Sequence, residues 1–227
     1  MQPTPKMPGA PGGPLRTEHD LLGERSVPTT ALYGIQTLRA LENFPISGTS
    51  VGQFPTLVAA LASVKEAAAL ANEELGLLDG KIARAIVGAA ETLRRGEHAD
   101  QFPVDMIQGG AGTSTNMNAN EVIANLALES MGLERGNYPV VHPNNHVNLS
   151  QSTNDVYPTA VKLALHASIS ELQEAMAALA RAFLQKGEEF GAFIKMGRTQ
   201  LQDAVPMTLG QEFSAFAHTR ACRKDTG

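Results

Sequence analysis

The chain has 227 residues, of which 43% are hydrophobic and 18% charged, and its formal net charge is -5. This composition is typical of a globular protein. It excludes an intrinsically disordered chain and a basic nucleic-acid-binding surface. We expect a cytoplasmic protein with no membrane partner, because the sequence has no bilayer-length apolar run, no secretory leader and one cysteine, Cys222.

The first 20 residues are predicted to form a disordered tail, since proline and glycine dominate the chain up to Pro14. No long helix is expected between Leu21 and Phe44, where apolar residues mix with turn formers. Further along, apolar periodicity and the start and stop residues predict helices at positions 55–75, 79–95, 115–131, 154–190 and 206–219. Asp79 is the predicted N-cap of the second of these helices.

The helix predicted for residues 154–190 would span roughly 50 Å at about 1.5 Å per residue. Its apolar residues recur at steps of three and four: Val161, Leu165, Ile169, Leu172, Met176, Leu179 and Phe183. So long a helix in a small protein belongs to a bundle or an oligomer core. We find no alternating strand pattern and no internal repeat. The sequence therefore predicts a mainly α fold, with a helical domain over residues 21–150 and the start of a long-helix bundle over residues 151–227.

Three short polar strings carry the candidate chemistry, at residues 109–118, 151–155 and 197–203. Each combines hydroxyl and amide side chains with glycine or with a predicted helix start, which suits the binding of a small carboxylate without a metal or a cofactor. The glycines of the first string are followed by Thr113 and not by the lysine of a phosphate-binding loop, which excludes that alternative. His142 and His146 lack a metal-ligand spacing, so no metal site is predicted.

The second and third strings each have two interpretations. Side chains at the start of the predicted long helix either bind an anion or form an ordinary N-cap: Ser152, Thr153 and Asn154. Arg198 either forms a forked pair with a substrate carboxylate or a salt bridge that fixes its own loop. Thr199 and Gln200 are neutral donors suited to a carboxylate or an amide.

In this order, the three strings resemble those of the aspartase/fumarase superfamily of lyases, and the resemblance covers residues 21–219. Residues 101–105, 109–114 and 196–200 are most similar to the aspartate ammonia-lyases of that superfamily. Gln200 stands where fumarases typically have a histidine. The triplet of His142, Pro143 and Asn144, by contrast, is shared with fumarases.

The resemblance implies a reversible anti elimination that converts L-aspartate into fumarate and ammonia. A base removes a proton from Cβ, and donors around the adjacent carboxylate stabilise the charge that develops there. By motif match, the substrate would be held by Thr113, Ser152, Thr153, Asn154 and Thr199, with Gln200 beside them. The resemblance also implies that no cofactor is used and that the enzyme is a homotetramer whose central bundle contains helices of all subunits.

The general base of the superfamily is a serine in a Gly-Ser-Ser-x-Met-Pro segment, and this sequence contains no such segment. We therefore expect residues 151–227 to be the truncated start of the central bundle domain, and the chain as given to be inactive. Two alternatives stay open, namely fumarate hydratase chemistry and a non-catalytic helical remnant.

Overall fold

The computed structural model describes residues 13–221, with side chains up to Thr219. These residues form two antiparallel hairpins and six α-helices, in the order β1 (Leu15–Asp20), β2 (Gly23–Pro28), α1 (Ile35–Asn43), α2 (Pro55–Glu74), α3 (Gly80–Arg94), α4 (Thr113–Ser130), α5 (Thr153–Glu189), β3 (Ile194–Thr199), β4 (Gln202–Thr208) and α6 (Leu209–Ala221). The mainly α fold is confirmed. None of the helices in the described part of the chain has both the length and the apolar character that a membrane crossing requires.

Four of the predicted helices correspond to α2, α3, α4 and α5, with ends within two residues of the prediction. Asp79 caps α3 as predicted, because its carboxylate accepts a hydrogen bond from the backbone N–H of Lys81 at 2.8 Å and a longer one from Ile82 at 3.4 Å. Gly76 follows α2 with a φ of 70°, a left-handed conformation that favours glycine and ends a helix. Local start and stop signals therefore set the bounds of these helices.

We expect Asp79→Ala to lower the free energy of unfolding by about 1 kcal/mol, because the first turn of α3 loses its side-chain acceptor. Chemical denaturation of the chain measures the loss. Glu74→Ala is the matched control, since Glu74 is exposed and makes no ion pair with any described residue. The control is expected to stay within about 0.5 kcal/mol of wild type. Equal losses in the two variants would contradict the capping role.

The hairpin of β1 and β2 was not predicted, because the sequence shows no alternating strand pattern there. Leu15 pairs with Pro28 and Asp20 with Gly23. The half-buried or buried side chains of β1 are the charged ones, Arg16, Glu18 and Asp20, so the strand shows no apolar alternation. β1 also shows that the predicted tail does not extend to residue 20, while residues 1–12 of that tail lie outside the described residues.

The hairpin of β3 and β4 was also not predicted. Its strands are mostly exposed, and its register shifts between Met196 and Arg198, so no regular alternation marks it. The turn residues Gln200 and Leu201 have φ values of 50° and 64°, which turns of this kind usually reserve for asparagine or glycine. The helix predicted from residue 206 begins at Leu209, because the preceding residues complete β4.

The chain divides into two compact units, Met1–Leu165 and His166–Gly227. The described core of the first unit is built from α2, α3 and α4, and its fully buried side chains include Leu61, Ile86, Leu93, Ile123 and Leu128. Residues 115–125 of α4 are buried on all sides, including their asparagines. The second unit contains a cluster of aromatic rings with centroids 5.4 to 6.3 Å apart: Phe183, Phe190, Phe193, Phe213 and Phe216.

Candidate functional site

The glycine loop, residues 109–112, leads directly into α4. Gly112 is the N-cap residue of α4 with a φ of 82°, and a Cβ placed on it would overlap the ring of Tyr157. Gln108 holds the loop to the helix, because its Oε1 accepts from the backbone N–H of Thr115 at 3.0 Å and its Nε2 donates to Thr115 Oγ1 at 2.6 Å. Thr113, the first residue of α4, is exposed at the end of this anchored loop.

Asp105 fixes the segment that precedes the glycine loop. Its carboxylate accepts from the backbone N–H groups of Ser47, Gly48 and Ile107 at 2.7 to 2.8 Å, and from the Ser47 hydroxyl at 2.7 Å. Burial raises the pKa of Asp105, but these hydrogen bonds outweigh it and hold the pKa below the ordinary value. The ionised carboxylate is thus a structural anchor, which the sequence analysis missed.

The start of α5 carries the second string. Ser152 Oγ accepts from the backbone N–H of Asn154 at 3.2 Å, so Ser152 caps the helix. Thr153 Oγ1 accepts from Asn116 Nδ2 at 3.1 Å, and Asn154 is exposed. The capping interpretation therefore holds for Ser152. It does not exclude anion binding by the same helix end.

A network of buried amides lies behind this helix start. Asn148 Oδ1 accepts from Lys65 Nζ at 2.8 Å, Asn116 Nδ2 at 3.1 Å and Asn120 Nδ2 at 3.3 Å. Lys65 Nζ also donates to Gln151 Oε1 at 2.9 Å. Burial of a polar group is costly without partners. This network supplies acceptors for the NH₂ groups of Asn116 and Asn120, while the Oδ1 atoms of these two asparagines are buried and find no hydrogen-bond partner among the described residues.

Lys65 is a fully buried lysine that the sequence analysis did not single out. Burial lowers the pKa of its amine to about 7, because the charged form loses its hydration. No carboxylate of a described residue lies within ion-pair distance of it. One signal in the sequence pointed to its burial, because Lys65 stands four residues after Leu61 and four before Ala69, on the buried face of α2.

The first two strings meet at a cavity of about 300 Å³ within the first unit. Gly110, Ala111 and Gly112 line it from the glycine loop, and Asn154, Tyr157 and Pro158 line it from α5. A larger cavity of about 750 Å³ includes Ser114, the neighbour of Thr113. The structure thus brings the glycine loop and the start of α5 together, as a ligand-binding interpretation requires.

His142 and His146 stabilise the turn Pro143–Val147. His142 Nδ1 accepts from the backbone N–H groups of Asn144 at 3.0 Å and Asn145 at 3.2 Å, and His146 Nδ1 accepts from the N–H of His142 at 2.9 Å. Burial lowers the pKa of both rings, and the charge of His146 lowers that of His142 further. Within residues 13–219, no group of three or more suitable side chains is placed to hold a metal ion.

The third string lies in the second unit, on the hairpin of β3 and β4. Thr199 ends β3 and Gln200 begins its turn, and both side chains are exposed. Arg198 Nε lies 3.2 Å from Asp203 Oδ1, in an ion pair across the hairpin in which both side chains are about 70% exposed. The salt-bridge interpretation of Arg198 therefore describes the structure, and so exposed a pair contributes little to stability.

The chain is similar to known lyases. A family model described as Lyase matches residues 23–225. The chain is 60% identical over 204 residues to an aspartate ammonia-lyase of Pseudomonas canavaninivorans. These aligned residues make up 90% of the chain and 43% of that relative. The chain thus spans less than half the length of this curated relative.

Two solved structures are also similar. One is a fumarate lyase described as delta crystallin from Brucella melitensis, in native form. The match covers 93% of this chain and 49% of the Brucella melitensis chain, with a TM-score of 0.89 and 58% sequence identity. The other is a class II fumarase from Schistosoma mansoni. The match covers 93% of this chain and 44% of the Schistosoma mansoni chain, with a TM-score of 0.84 and 38% sequence identity.

Proposed function

The chain belongs to this lyase family, within the aspartase/fumarase superfamily, and we propose that it supplies part of the active site of an enzyme that reversibly converts L-aspartate into fumarate and ammonia. The observation that carries the proposal is the meeting of the glycine loop and the start of α5 at one cavity. The identity to an aspartate ammonia-lyase selects this chemistry among those of the superfamily.

The proposed substrate-binding residues are Thr113, Ser152, Thr153, Asn154, Thr199 and Gln200, which follows Thr199 in the chain. Hydroxyl and amide donors at the start of α5, together with the positive end of the helix dipole, favour a carboxylate ligand. During elimination a base takes the Cβ proton, ammonia leaves from Cα, and the donors stabilise the charge on the adjacent carboxylate. The superfamily's base is a serine in a segment that this sequence does not contain, so further chain is needed to complete the site.

The oligomeric state, the location and the domain limits are part of the same proposal. A homotetramer in the cytoplasm, with a lyase domain over residues 21–150 and bundle residues from 151, follows from the superfamily resemblance. Exposed leucines and isoleucine on the part of α5 in the second unit support an oligomer interface: Ile169, Leu172, Leu179 and Leu184.

Fumarate hydratase is the second candidate. The 38% identity to a class II fumarase and the shared triplet at His142 favour it. Gln200 argues against it, because fumarases typically have a histidine at that position. The two candidates differ in substrate, since one removes ammonia from L-aspartate and the other removes water from L-malate.

A chimera tests the proposal. We expect a protein in which this chain replaces the matched 204 residues of the Pseudomonas canavaninivorans relative to form fumarate from L-aspartate and not from L-malate. Fumarate is followed by its ultraviolet absorbance, and the unaltered relative is the control. The isolated chain is expected to form none, because it lacks the serine.

Other outcomes would contradict the proposal. Dehydration of L-malate without deamination of L-aspartate would favour the fumarase candidate. A folded chimera that acts on neither compound, beside an active control, would favour a non-catalytic protein. Fumarate formed from L-aspartate by the isolated chain would overturn the role given to the missing serine.

A further inference from the structure

We propose that Lys65 is a positioning residue: through Asn148 and Asn116 it orients the Thr153 hydroxyl so that its proton is free to donate to a bound carboxylate. The inference rests on the proposed function, because it assumes that Thr153 contacts a carboxylate substrate. Lys65 itself does not touch the substrate in this scheme, and it acts only through the amides that lie between it and Thr153.

The first step is that Lys65 helps to fix the orientation of the Asn148 and Gln151 amides, together with the backbone oxygens to which their NH₂ groups donate. Its amine lies within 2.9 Å of Asn148 Oδ1 and Gln151 Oε1. A charged amine in this place has three N–H donors and no acceptor, so it selects the oxygen of each amide and excludes the NH₂ group, which could only donate back. The selection is strict for this charged form, because the lone pair of a neutral amine could accept from an NH₂ group.

The second step is that the orientation of Asn148 directs Asn116. With its oxygen fixed towards Lys65, Asn148 presents an acceptor to Asn116 Nδ2 at 3.1 Å, and its own Nδ2 donates to the backbone oxygen of Gln151 at 3.1 Å. If the Asn148 amide were reversed, two NH₂ groups would face each other. Asn116 therefore presents its NH₂ group to this side of the network, and the same Nδ2 donates to Thr153 Oγ1 at 3.1 Å.

The third step concerns the Thr153 hydroxyl. Because its oxygen accepts from Asn116, its proton must point elsewhere. The hydroxyl makes no other hydrogen bond with the described residues, so the proton is available to a ligand. Thr153 is half-buried at the first position of α5, next to Asn154, which lines the cavity. A donor that is fixed before the ligand arrives suits the binding of a carboxylate at this helix end.

A double-mutant cycle in the chimera described above tests this coupling. The variants are Lys65→Met, which keeps the length of the side chain and removes its donors, Thr153→Val, which removes the hydroxyl at constant shape, and the double variant. We expect each single variant to lower kcat/KM for L-aspartate about tenfold to hundredfold, as loss of a hydrogen bond to a charged group does. The double variant is expected to lose no more than Thr153→Val alone, because Lys65 acts through that hydroxyl.

The control is Lys81→Met, since Lys81 is an exposed lysine in the first turn of α3 and is expected to leave kcat/KM unchanged. An unchanged kcat/KM in Lys65→Met, or losses that multiply in the double variant, would overturn the positioning role. A purely structural role would lower the unfolding midpoint and give multiplying losses. The unfolding midpoint of every variant is therefore measured beside its kinetics.

Two further outcomes are decisive. If Lys65→Met does not fold, Lys65→Leu, which also removes the donors, is placed in the same cycle and judged in the same way. If neither folds, the lysine is required for the fold and the positioning role is overturned. An unchanged kcat/KM in Thr153→Val would overturn the proposed role of Thr153 in the site. This outcome differs from a failure of the Lys65 coupling alone, in which Thr153→Val still lowers kcat/KM and Lys65→Met does not.

Discussion

The Gly112→Ala variant is expected to lose about 2 to 4 kcal/mol of unfolding free energy. This loss is the sum of two costs, the overpacking caused by the added methyl group and the strain of a left-handed backbone at alanine. Gly112 is buried at the N-cap of α4 and has a φ of 82°. A Cβ at this position would overlap the ring of Tyr157, which lies on the first turns of α5. Either the ring or the glycine loop must move, and both line the smaller cavity.

Gly132→Ala is the control that separates the two effects. Gly132 also has a left-handed backbone, with a φ of 75°, but no atom lies within 4 Å of the position of its Cβ. We expect this variant to lose about 1 kcal/mol, from the backbone alone. Chemical denaturation of both variants measures the difference, and equal losses would show that the Tyr157 ring yields without cost. The variant Tyr157→Ala, combined with Gly112→Ala, should recover the part of the loss that comes from the collision.

Gly112 and Tyr157 show why the sequence could suggest a candidate site but could not predict how its parts come together. The glycines and hydroxyls at residues 109–118 indicate a loop that needs close backbone approach. Nothing in the sequence says that the approaching group is Tyr157, because that contact depends on how α5 lies beside the start of α4. Helix bounds, in contrast, depend on local signals such as Asp79 and Gly76, and these were predicted well.

Buried charged side chains were not predicted, and neither was β1, whose inward side chains are charged. β1 directs Arg16 and Glu18 inward, and Arg16 is satisfied by Glu18 and by the backbone oxygens of Ala31 and Tyr33 at 2.7 Å. Lys65 is buried among amides in the same way. Pattern reading treats a charged residue as a solvent-facing one. The burial of such charged groups therefore cannot be predicted from the sequence pattern, because their partners come from distant parts of the chain.

Glu121 is a further buried charge of this kind, and it makes stability depend on pH. Its carboxylate accepts from the backbone N–H groups of Gly34, Gln36 and Thr37 at 2.8 to 3.0 Å, at the start of α1. Burial raises the pKa of Glu121 to about 7 from an ordinary value of 4.5, against the effect of these hydrogen bonds. The nearby charge of Glu18 raises it further.

The sign of the effect follows from proton binding. Between pH 4.5 and about 7 the folded chain holds the Glu121 proton and the unfolded chain has lost it. The stability contributed by this group is therefore complete below pH 4.5 and is lost as the pH rises through the folded-state pKa of about 7. The loss amounts to about 3 kcal/mol across the window. His142 and His146 act in the opposite direction below pH 6.5, because burial lowers the pKa of both rings.

The contribution of Glu121 is therefore measured as a difference between curves. We expect the free energy of unfolding of the wild-type chain, minus that of Glu121→Gln, to fall by about 3 kcal/mol from pH 4.5 to pH 7. Glutamine cannot ionise, so it removes the pH dependence that comes from Glu121, whatever it does to absolute stability. Glu74→Gln, at an exposed position, should follow the wild-type curve at every pH. A wild-type and a Glu121→Gln curve that stay parallel would mean that the three backbone donors hold the carboxylate ionised in the folded chain.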